Sequence, residues 1–157
     1  MSKKVAVISG GTSGIGKRMV SMFLKSGVKV VTFSRNKSKI NLLKRELREY
    51  SEDLICYQGD VSSIKDISRI SKSVKKQFKK VNYLVNNSGT NILNPIHKIK
   101  IKDWENIINV NLTGVFYLLS KISDNTALYS SIGLHGTIVI AVGVFFITHL
   151  MKKDNDQ

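Results

Sequence analysis

Near the start of the chain lies a glycine-rich stretch with the sequence Ser9-Gly10-Gly11-Thr12-Ser13-Gly14-Ile15-Gly16. The apolar run Val5–Ile8 leads into it, and apolar residues at three- and four-residue spacing follow it as far as Leu24. This pattern predicts a buried strand, a tight turn and an amphipathic helix. Such a turn lets the backbone approach a diphosphate at a helix N-terminus, where unpaired N–H groups and the helix dipole favour negative charge. The stretch therefore predicts a nucleotide-binding turn.

Length and composition indicate one domain in a reducing compartment. A chain of 157 residues with 42% hydrophobic content can build a sizeable core and is not wholly disordered. The single Cys56 excludes a disulfide framework. Met1–Lys4 and the four apolar residues that follow are too short for a signal peptide. We therefore expect a cytoplasmic protein.

The formal net charge is +14, and two interpretations compete for it. A basic surface could bind nucleic acid, a membrane or an acidic partner. The lysines, however, are spread through residues 3–102 between apolar residues at helical spacing, which favours an ordinary lysine-rich surface. We expect no nucleic-acid partner. We also expect no metal site, because the histidines are too sparse.

Strand and helix patterns alternate along the chain. Further strands are expected over Val28–Phe33, Leu54–Tyr57 and Val81–Val85. The second helix is expected over 37–50. The third is expected to begin after Ser63, because Ser63 and Asp66 form a capping-box pattern. A long fourth helix is expected to run from a cap at Asp103 to Ser123. This alternation predicts an α/β fold, a three-layer Rossmann-type sandwich whose parallel sheet has the order 3-2-1-4-5. Ligands of such folds bind at the carboxyl ends of the strands.

The end of the second strand distinguishes two nicotinamide cofactors. An NAD-type site places an acid there to bond the ribose 2′-hydroxyl. Ser34 and Arg35 occupy the position instead. Because a guanidinium matches a 2′-phosphate that an acid would repel, the sequence predicts NADP(H), with Arg35 carrying the discrimination.

Residues 3–121 resemble the N-terminal half of a short-chain dehydrogenase/reductase. Four motifs occur in the family's order: the glycine-rich stretch, Asp60-Val61, Asn86-Asn87-Ser88-Gly89, and Asn111 within 109–114. Ser9 and Ser88 stand where the family usually has Thr and Ala. The sequence looks most like the 3-oxoacyl-acyl-carrier-protein reductases and similar NADP-dependent members.

The resemblance implies a role for each motif. Thr12, Ser13 and Ile15 would line the diphosphate. Asp60 would accept a hydrogen bond from the adenine amino group beside the Val61 backbone, and the third motif would pass close to the cofactor ribose. The cofactor-binding residues expected on these grounds are Gly10, Thr12, Ser13, Gly14, Ile15, Gly16, Ser34, Arg35, Asp60, Val61, Asn87, Ser88 and Gly89.

The sequence matches the family's catalytic residues less completely than its cofactor-binding motifs. The resemblance implies that Asn111 holds a kink in the long helix and supports a catalytic water. The family's Ser and Tyr-x-x-x-Lys lie further along the chain, and no such set follows Lys121 at the expected distance. Tyr117 and Lys121 have the right spacing, but they share a helix with Asn111, so we interpret the match as coincidence.

The chain divides into a cofactor-binding domain, 1–123, and a divergent tail, 124–157. The tail contains an almost wholly apolar segment, 132–151. Two interpretations remain open: a membrane-spanning helix, or a fifth strand at Thr137–Val142 bounded by Gly136 and Gly143. The first interpretation would anchor the protein to a membrane.

Three hypotheses about function remain. The first is an oxidoreductase that uses NADPH to reduce a small carbonyl or acyl-thioester substrate. The second is a cofactor-binding protein without hydride-transfer chemistry, for which 132–151 could serve as a membrane tether. The third is a truncated gene product. The sequence names neither the substrate nor the oligomeric state.

Overall fold

The computed structural model describes residues 3–122, which form an α/β arrangement around a sheet of four strands. All the strand pairs are parallel, and the order is β3-β2-β1-β4. The strands are β1 (Val5–Ser9), β2 (Lys29–Ser34), β3 (Leu54–Gln58) and β4 (Tyr83–Val85). The α/β fold and this part of the strand order confirm the expectation from sequence. The expected fifth strand, Thr137–Val142, lies outside the described residues.

In the part of the chain that the structure describes, five α-helices connect or follow these strands. They are α1 (Gly14–Lys25), α2 (Lys37–Glu46), α3 (Ile64–Gln77), α4 (Ile101–Ile108) and α5 (Gly114–Ile122). Two short 3-10 turns occur at Arg48–Tyr50 and Ile96–Lys98. One π-helical turn, Asn109–Thr113, joins α4 to α5. A π turn inside a helix interrupts its regular hydrogen bonding and often marks a functional position.

The core lies on both faces of the sheet. Every residue of β1 is buried, as expected for a parallel strand covered by helices on each side. On one face Ala6 and Ile8 pack with Val20 and Leu24 of α1. The buried side of α3 comprises Ile67, Ile70, Ser71 and Val74. The Ser71 hydroxyl donates to the Lys121 carbonyl at 2.6 Å, which ties α3 to the end of α5.

One helix boundary differs from the prediction. The helix expected to begin at a cap on Asp103 begins instead at Ile101, after Lys100, which makes no side-chain capping bond. Asp103 lies in the first turn of α4, where its carboxylate complements the helix dipole. The prediction failed because an acid near a helix start serves either as a cap or as a first-turn residue.

Among residues 3–122, no helix is long and apolar enough to cross a membrane. The segment 132–151, for which a membrane span or a fifth strand was expected, lies outside these residues, as does the tail 124–157.

Candidate cofactor site

The glycine turn is anchored to β2. The Gly10 N–H donates to the Phe33 carbonyl at 3.1 Å, and the Gly11 N–H donates to the Thr32 hydroxyl at 3.1 Å. That hydroxyl in turn donates to the Ile8 carbonyl at 2.8 Å. Because Thr32 is fully buried, this network fixes the turn at the carboxyl end of β1.

Gly14 and Gly16 of the turn differ in how much space surrounds them. Gly14 has a φ of +52°, and a Cβ there would meet no atom within 4 Å, so its outer side is open. Gly16 is the opposite case, because a Cβ there would collide with the Asn87 amide and with the Gly10 carbonyl. The turn is thus tightly packed against the Asn87 loop and open at the first residue of α1.

The N-terminus of α1 is free to receive an anion. Ser13 precedes the helix with extended backbone and makes no side-chain capping bond, and the first turn contains no acid. Ser13 and Gly14 are exposed, Ile15 is 74% exposed, and Thr12 is buried beneath them. The first N–H groups of a helix carry partial positive charge, so this end can bind a phosphate.

Ser9 bridges the glycine turn to the loop after β4. Its hydroxyl accepts hydrogen bonds from the backbone N–H groups of Asn87 at 3.0 Å and Ser88 at 2.9 Å. The Asn87 side-chain amide donates back to the carbonyls of Ser9 at 3.1 Å and Gly10 at 3.2 Å. The two motifs therefore form one rigid unit. In the sequence, Ser9 marks only a departure from the family's usual Thr, and its bridging role has no sequence signal because it depends on tertiary contacts.

Asn111 lies in the π turn and is bound to the same loop. Its Oδ1 accepts from the Thr90 N–H, and its Nδ2 donates to the Thr90 carbonyl, both at 2.8 Å. Gly89 approaches this amide closely enough for a Cβ to lie 3.6 Å from the Asn111 Oδ1. Both polar groups of the side chain therefore position the loop after β4. The predicted kink coincides with the π turn, and the catalytic water stays a prediction.

Val61 packs against the start of α5. A Cβ on Gly114 would lie 2.9 Å from the Val61 carbonyl oxygen, so the start of α5 lies directly against this backbone. Val61 is 7% exposed. The close approach holds the start of α5, and with it the π turn, next to the end of β3.

A second group of residues surrounds a depression of about 510 Å³ beyond the ends of β2 and β3. It is lined by Arg35, Gln58, Gly59, Asp60, Asp66 and Arg69. Arg35 Nη1 lies 3.6 Å from Asp60 Oδ2, and the two side chains are 69% and 30% exposed. Asp60 Oδ1 accepts from the Ser62 N–H at 2.9 Å and from its hydroxyl at 2.7 Å. Ser34, the last residue of β2, accepts from the Asn36 N–H at 3.3 Å.

The start of α3 forms one wall of this depression. The Ser63 hydroxyl accepts from the Asp66 N–H at 3.3 Å, as the capping-box pattern predicts. The Asp66 carboxylate accepts instead from the Asp60 N–H at 2.9 Å, so the reciprocal bond goes to Asp60 rather than to Ser63. That backbone bond, followed by a bond from the Arg69 side chain, lowers the pKa of Asp66. Asp66 therefore stays ionised beside the depression.

The predicted site residues thus form two groups at the same edge of the sheet. The glycine turn and the loop after β4 form the first, and Arg35 with Asp60 forms the second. Tyr117 and Lys121 belong to neither. Tyr117 lies about 9 Å further along the helical axis than Asn111, and the Lys121 carbonyl contacts α3. Sequence reasoning missed Gln58 and Arg69, which carry no motif signal.

Comparison with known proteins agrees with this geometry. The family model for short chain dehydrogenases matches residues 4–143. A probable 2,4-dienoyl-CoA reductase of Bacillus subtilis is 32% identical over 117 residues, covering 74% of this chain and 46% of that protein. The 3beta-hydroxysteroid dehydrogenase 2 of Eggerthella lenta is 35% identical over 119 residues, covering 74% and 45%.

Solved structures give the same result. That of ElxO with NADP bound is 30% identical, with a TM-score of 0.72, and the match covers 76% of this chain and 49% of that one. The chain belongs to the short-chain dehydrogenase family. It spans about half the length of these three relatives.

Proposed function

We propose that this chain binds NADP(H) at the carboxyl ends of β1 to β4 and acts as a carbonyl-reducing oxidoreductase of its family. The position of Arg35 is the observation that carries the assignment of NADP(H). Arg35 follows the last residue of β2 and lines the depression with Asp60, and the end of β2 has no acid. A guanidinium there favours a 2′-phosphate. The NADP bound to ElxO supports the same choice.

The residues present fit such a cofactor. The open side of Gly14 and the uncapped start of α1 suit a diphosphate, with Thr12, Ser13 and Ile15 around it. The resemblance to the family then assigns the ribose to Asn87, Ser88 and Gly89. Asp60 and the Val61 backbone would receive the adenine.

The reduced cofactor, when bound, would supply a hydride for a carbonyl carbon, and the carbonyl oxygen would need a proton from a positioned acid. A positioned acid contributes about 100- to 10,000-fold to such a step. Among residues 3–122, Tyr117 and Lys121 are the one Tyr-x-x-x-Lys pair, and both lie in α5, after the π turn that contains Asn111. In this proposal the described residues hold the cofactor, and Asn111 positions the loop beside it.

The proposed substrate is a compound with a carbonyl group that accepts the hydride. A small carbonyl compound or an acyl thioester agrees with the name of the Bacillus relative, a dienoyl-CoA reductase, whereas the Eggerthella relative is a hydroxysteroid dehydrogenase. Both names describe oxidoreductases.

A second candidate is a protein that binds the cofactor without transferring a hydride. The placement of Tyr117 and Lys121 in α5, about 9 Å or more beyond Asn111 along the helix, favours it. Fluorescence titration with NADPH, followed by an assay of NADPH oxidation with an acetoacetyl thioester and simple ketones, separates the two candidates. Saturable binding with oxidation supports the oxidoreductase, and binding without oxidation supports the second candidate. Absence of saturable binding refutes both.

A further inference from the structure

The depression beyond β2 and β3 contains two arginines, and the proposed function uses only Arg35. A phosphate monoester with a second pKa near 6 carries about −1.5 to −2 charge at neutral pH. One exposed guanidinium compensates only part of that charge. Arg69, from the second turn of α3, lines the same depression.

Arg69 is held in place by β3. Its Nη2 donates to the Gln58 carbonyl at 2.6 Å and to Asp66 Oδ1 at 3.0 Å. The Gln58 side chain donates to the Arg35 carbonyl at 3.2 Å. One residue at the end of β3 therefore connects the Arg69 guanidinium with the backbone of Arg35.

Arg69 still has donors to offer. Both of its hydrogen bonds use Nη2, and within residues 3–122 no hydrogen bond is formed by its Nε or Nη1. Its side chain is 52% exposed. A guanidinium carries five N–H donors in a planar fork, so the unused edge can bind a phosphate oxygen while Nη2 keeps its two bonds.

Each arginine has a carboxylate partner at the depression, Asp60 for Arg35 and Asp66 for Arg69. The four side chains together carry no net charge, so a nucleotide without a 2′-phosphate meets a neutral rim. Exposed ion pairs of this kind contribute little to stability. A phosphate can therefore draw on both guanidiniums at small cost.

We propose that Arg69 is a second specificity-determining residue for the 2′-phosphate of the cofactor, acting beside Arg35 across the end of β3. The inference rests on the proposed function, since it concerns the same nucleotide site. Asp66 and the Gln58 carbonyl orient the Arg69 guanidinium and keep it at the rim.

The experiment compares 2′,5′-ADP with 5′-AMP, two fragments that differ by the 2′-phosphate alone and lack the nicotinamide half of the cofactor. Calorimetric titration of the full chain is expected to show that Arg69→Met binds 2′,5′-ADP about tenfold more weakly, the effect of one charge-assisted contact. Binding of 5′-AMP is expected to stay within about twofold. Arg69→Lys keeps the charge and should recover part of the loss.

The matched control is Lys72→Met, which removes the next exposed cation on the same side of α3. It should leave the affinities for both fragments unchanged. Raising the salt concentration should weaken binding of 2′,5′-ADP to the wild type more steeply than to Arg69→Met. This comparison uses two folded proteins and tests the charge directly.

Two results would overturn the inference. The first is an equal loss of both fragments in Arg69→Met, which would make Arg69 a structural support of the β3 end. The second is an unchanged affinity for 2′,5′-ADP. If the wild type prefers 2′,5′-ADP and Arg35→Gln abolishes that preference while Arg69→Met does not, only this inference fails. If the wild type shows no preference, the NADP(H) assignment itself fails.

Discussion

Replacement of Arg35 by glutamine removes the guanidinium at the end of β2 and keeps a side chain of similar length. A hydrogen bond to a charged group contributes about 1.5–3 kcal/mol. Arg35 is 69% exposed, so the lower part of that range applies. The ion pair with Asp60, at 3.6 Å, has to be given up on binding and subtracts about 0–1 kcal/mol. The net loss of about 0.5–2 kcal/mol corresponds to about 2- to 30-fold weaker binding of NADPH.

The measurement is a fluorescence titration of the full chain with NADPH and with NADH. Arg35→Gln should weaken NADPH binding by the factor above and change NADH binding by less than about twofold. Arg35→Asp should go further and shift preference toward NADH, because a carboxylate repels a 2′-phosphate and accepts from a 2′-hydroxyl. Arg48→Gln, an exposed arginine in the turn after α2, is the matched control.

The reasoning would be refuted by equal weakening of both cofactors in Arg35→Gln. Such a result would mean that Arg35 supports the shape of the site, through Gln58 or Asp60, rather than contacting a phosphate. An unchanged NADPH affinity would also refute it.

Three further predictions concern stability and reactivity. Gly16→Ala places a methyl group against the Asn87 amide and should lower the free energy of unfolding by about 1–3 kcal/mol. Gly14→Ala should cost about 1–2 kcal/mol through backbone strain alone. Urea denaturation measures both, and an unchanged stability of Gly16→Ala would contradict the packing argument. Asp66→Asn should destabilise the chain at pH 7. Because the pKa of Asp66 is lowered in the folded state, the difference from wild type should shrink as the pH falls below the unfolded value of about 3.8 and should be lost as the pH falls through the lower folded pKa. A difference that grows as the pH falls would contradict this. Burial raises the pKa of Cys56 to about 11, so alkylation by iodoacetamide at pH 8 should be slow in the folded chain and fast in urea. The free energy of unfolding should decline from pH 9 toward 11, because the thiol ionises in the unfolded chain before it ionises in the folded one. Rapid labelling of the folded chain at pH 8 would contradict the burial of this thiol.

The fold was predictable from sequence because local and long-range signals agree at each element. The glycine stretch follows the fully buried Val5–Ile8 run and precedes an amphipathic helix, and only a βα unit satisfies all three patterns. Boundaries were predictable only to within a few residues. The fourth strand was expected to begin at Val81 but begins at Tyr83, and the second helix ends at Glu46 rather than residue 50. End positions depend on tertiary hydrogen bonds that periodicity does not report.

The candidate site was predictable where a motif names the residue. Arg35 and Asp60 were both singled out, and the structure brings them to 3.6 Å. Ser9 and Asn87 show what sequence cannot supply, since their mutual hydrogen bonds join parts of the chain that are distant in sequence. No sequence motif distinguishes Arg69 from the other exposed lysines and arginines on the helices. Only its contact with the end of β3 makes it a candidate for the site.

The hydrogen bonds at Asp66 were also only partly predictable from the sequence. The capping-box pattern correctly predicted the bond to the Ser63 hydroxyl. It did not predict that the carboxylate would bond the Asp60 N–H, because the turn between β3 and α3 brings that N–H within reach. Local patterns identify which residues are polar partners, whereas the turn geometry decides which atoms meet.

The central claim is that this chain holds NADP(H) in preference to NAD(H). Its most direct test is the ratio of the two dissociation constants for the wild-type chain, measured by titration of intrinsic and cofactor fluorescence at fixed salt. We expect saturable binding of both cofactors, with NADPH bound at least about tenfold more tightly than NADH. Equal affinities would contradict the role of Arg35, and absence of saturable binding would contradict the cofactor site as a whole.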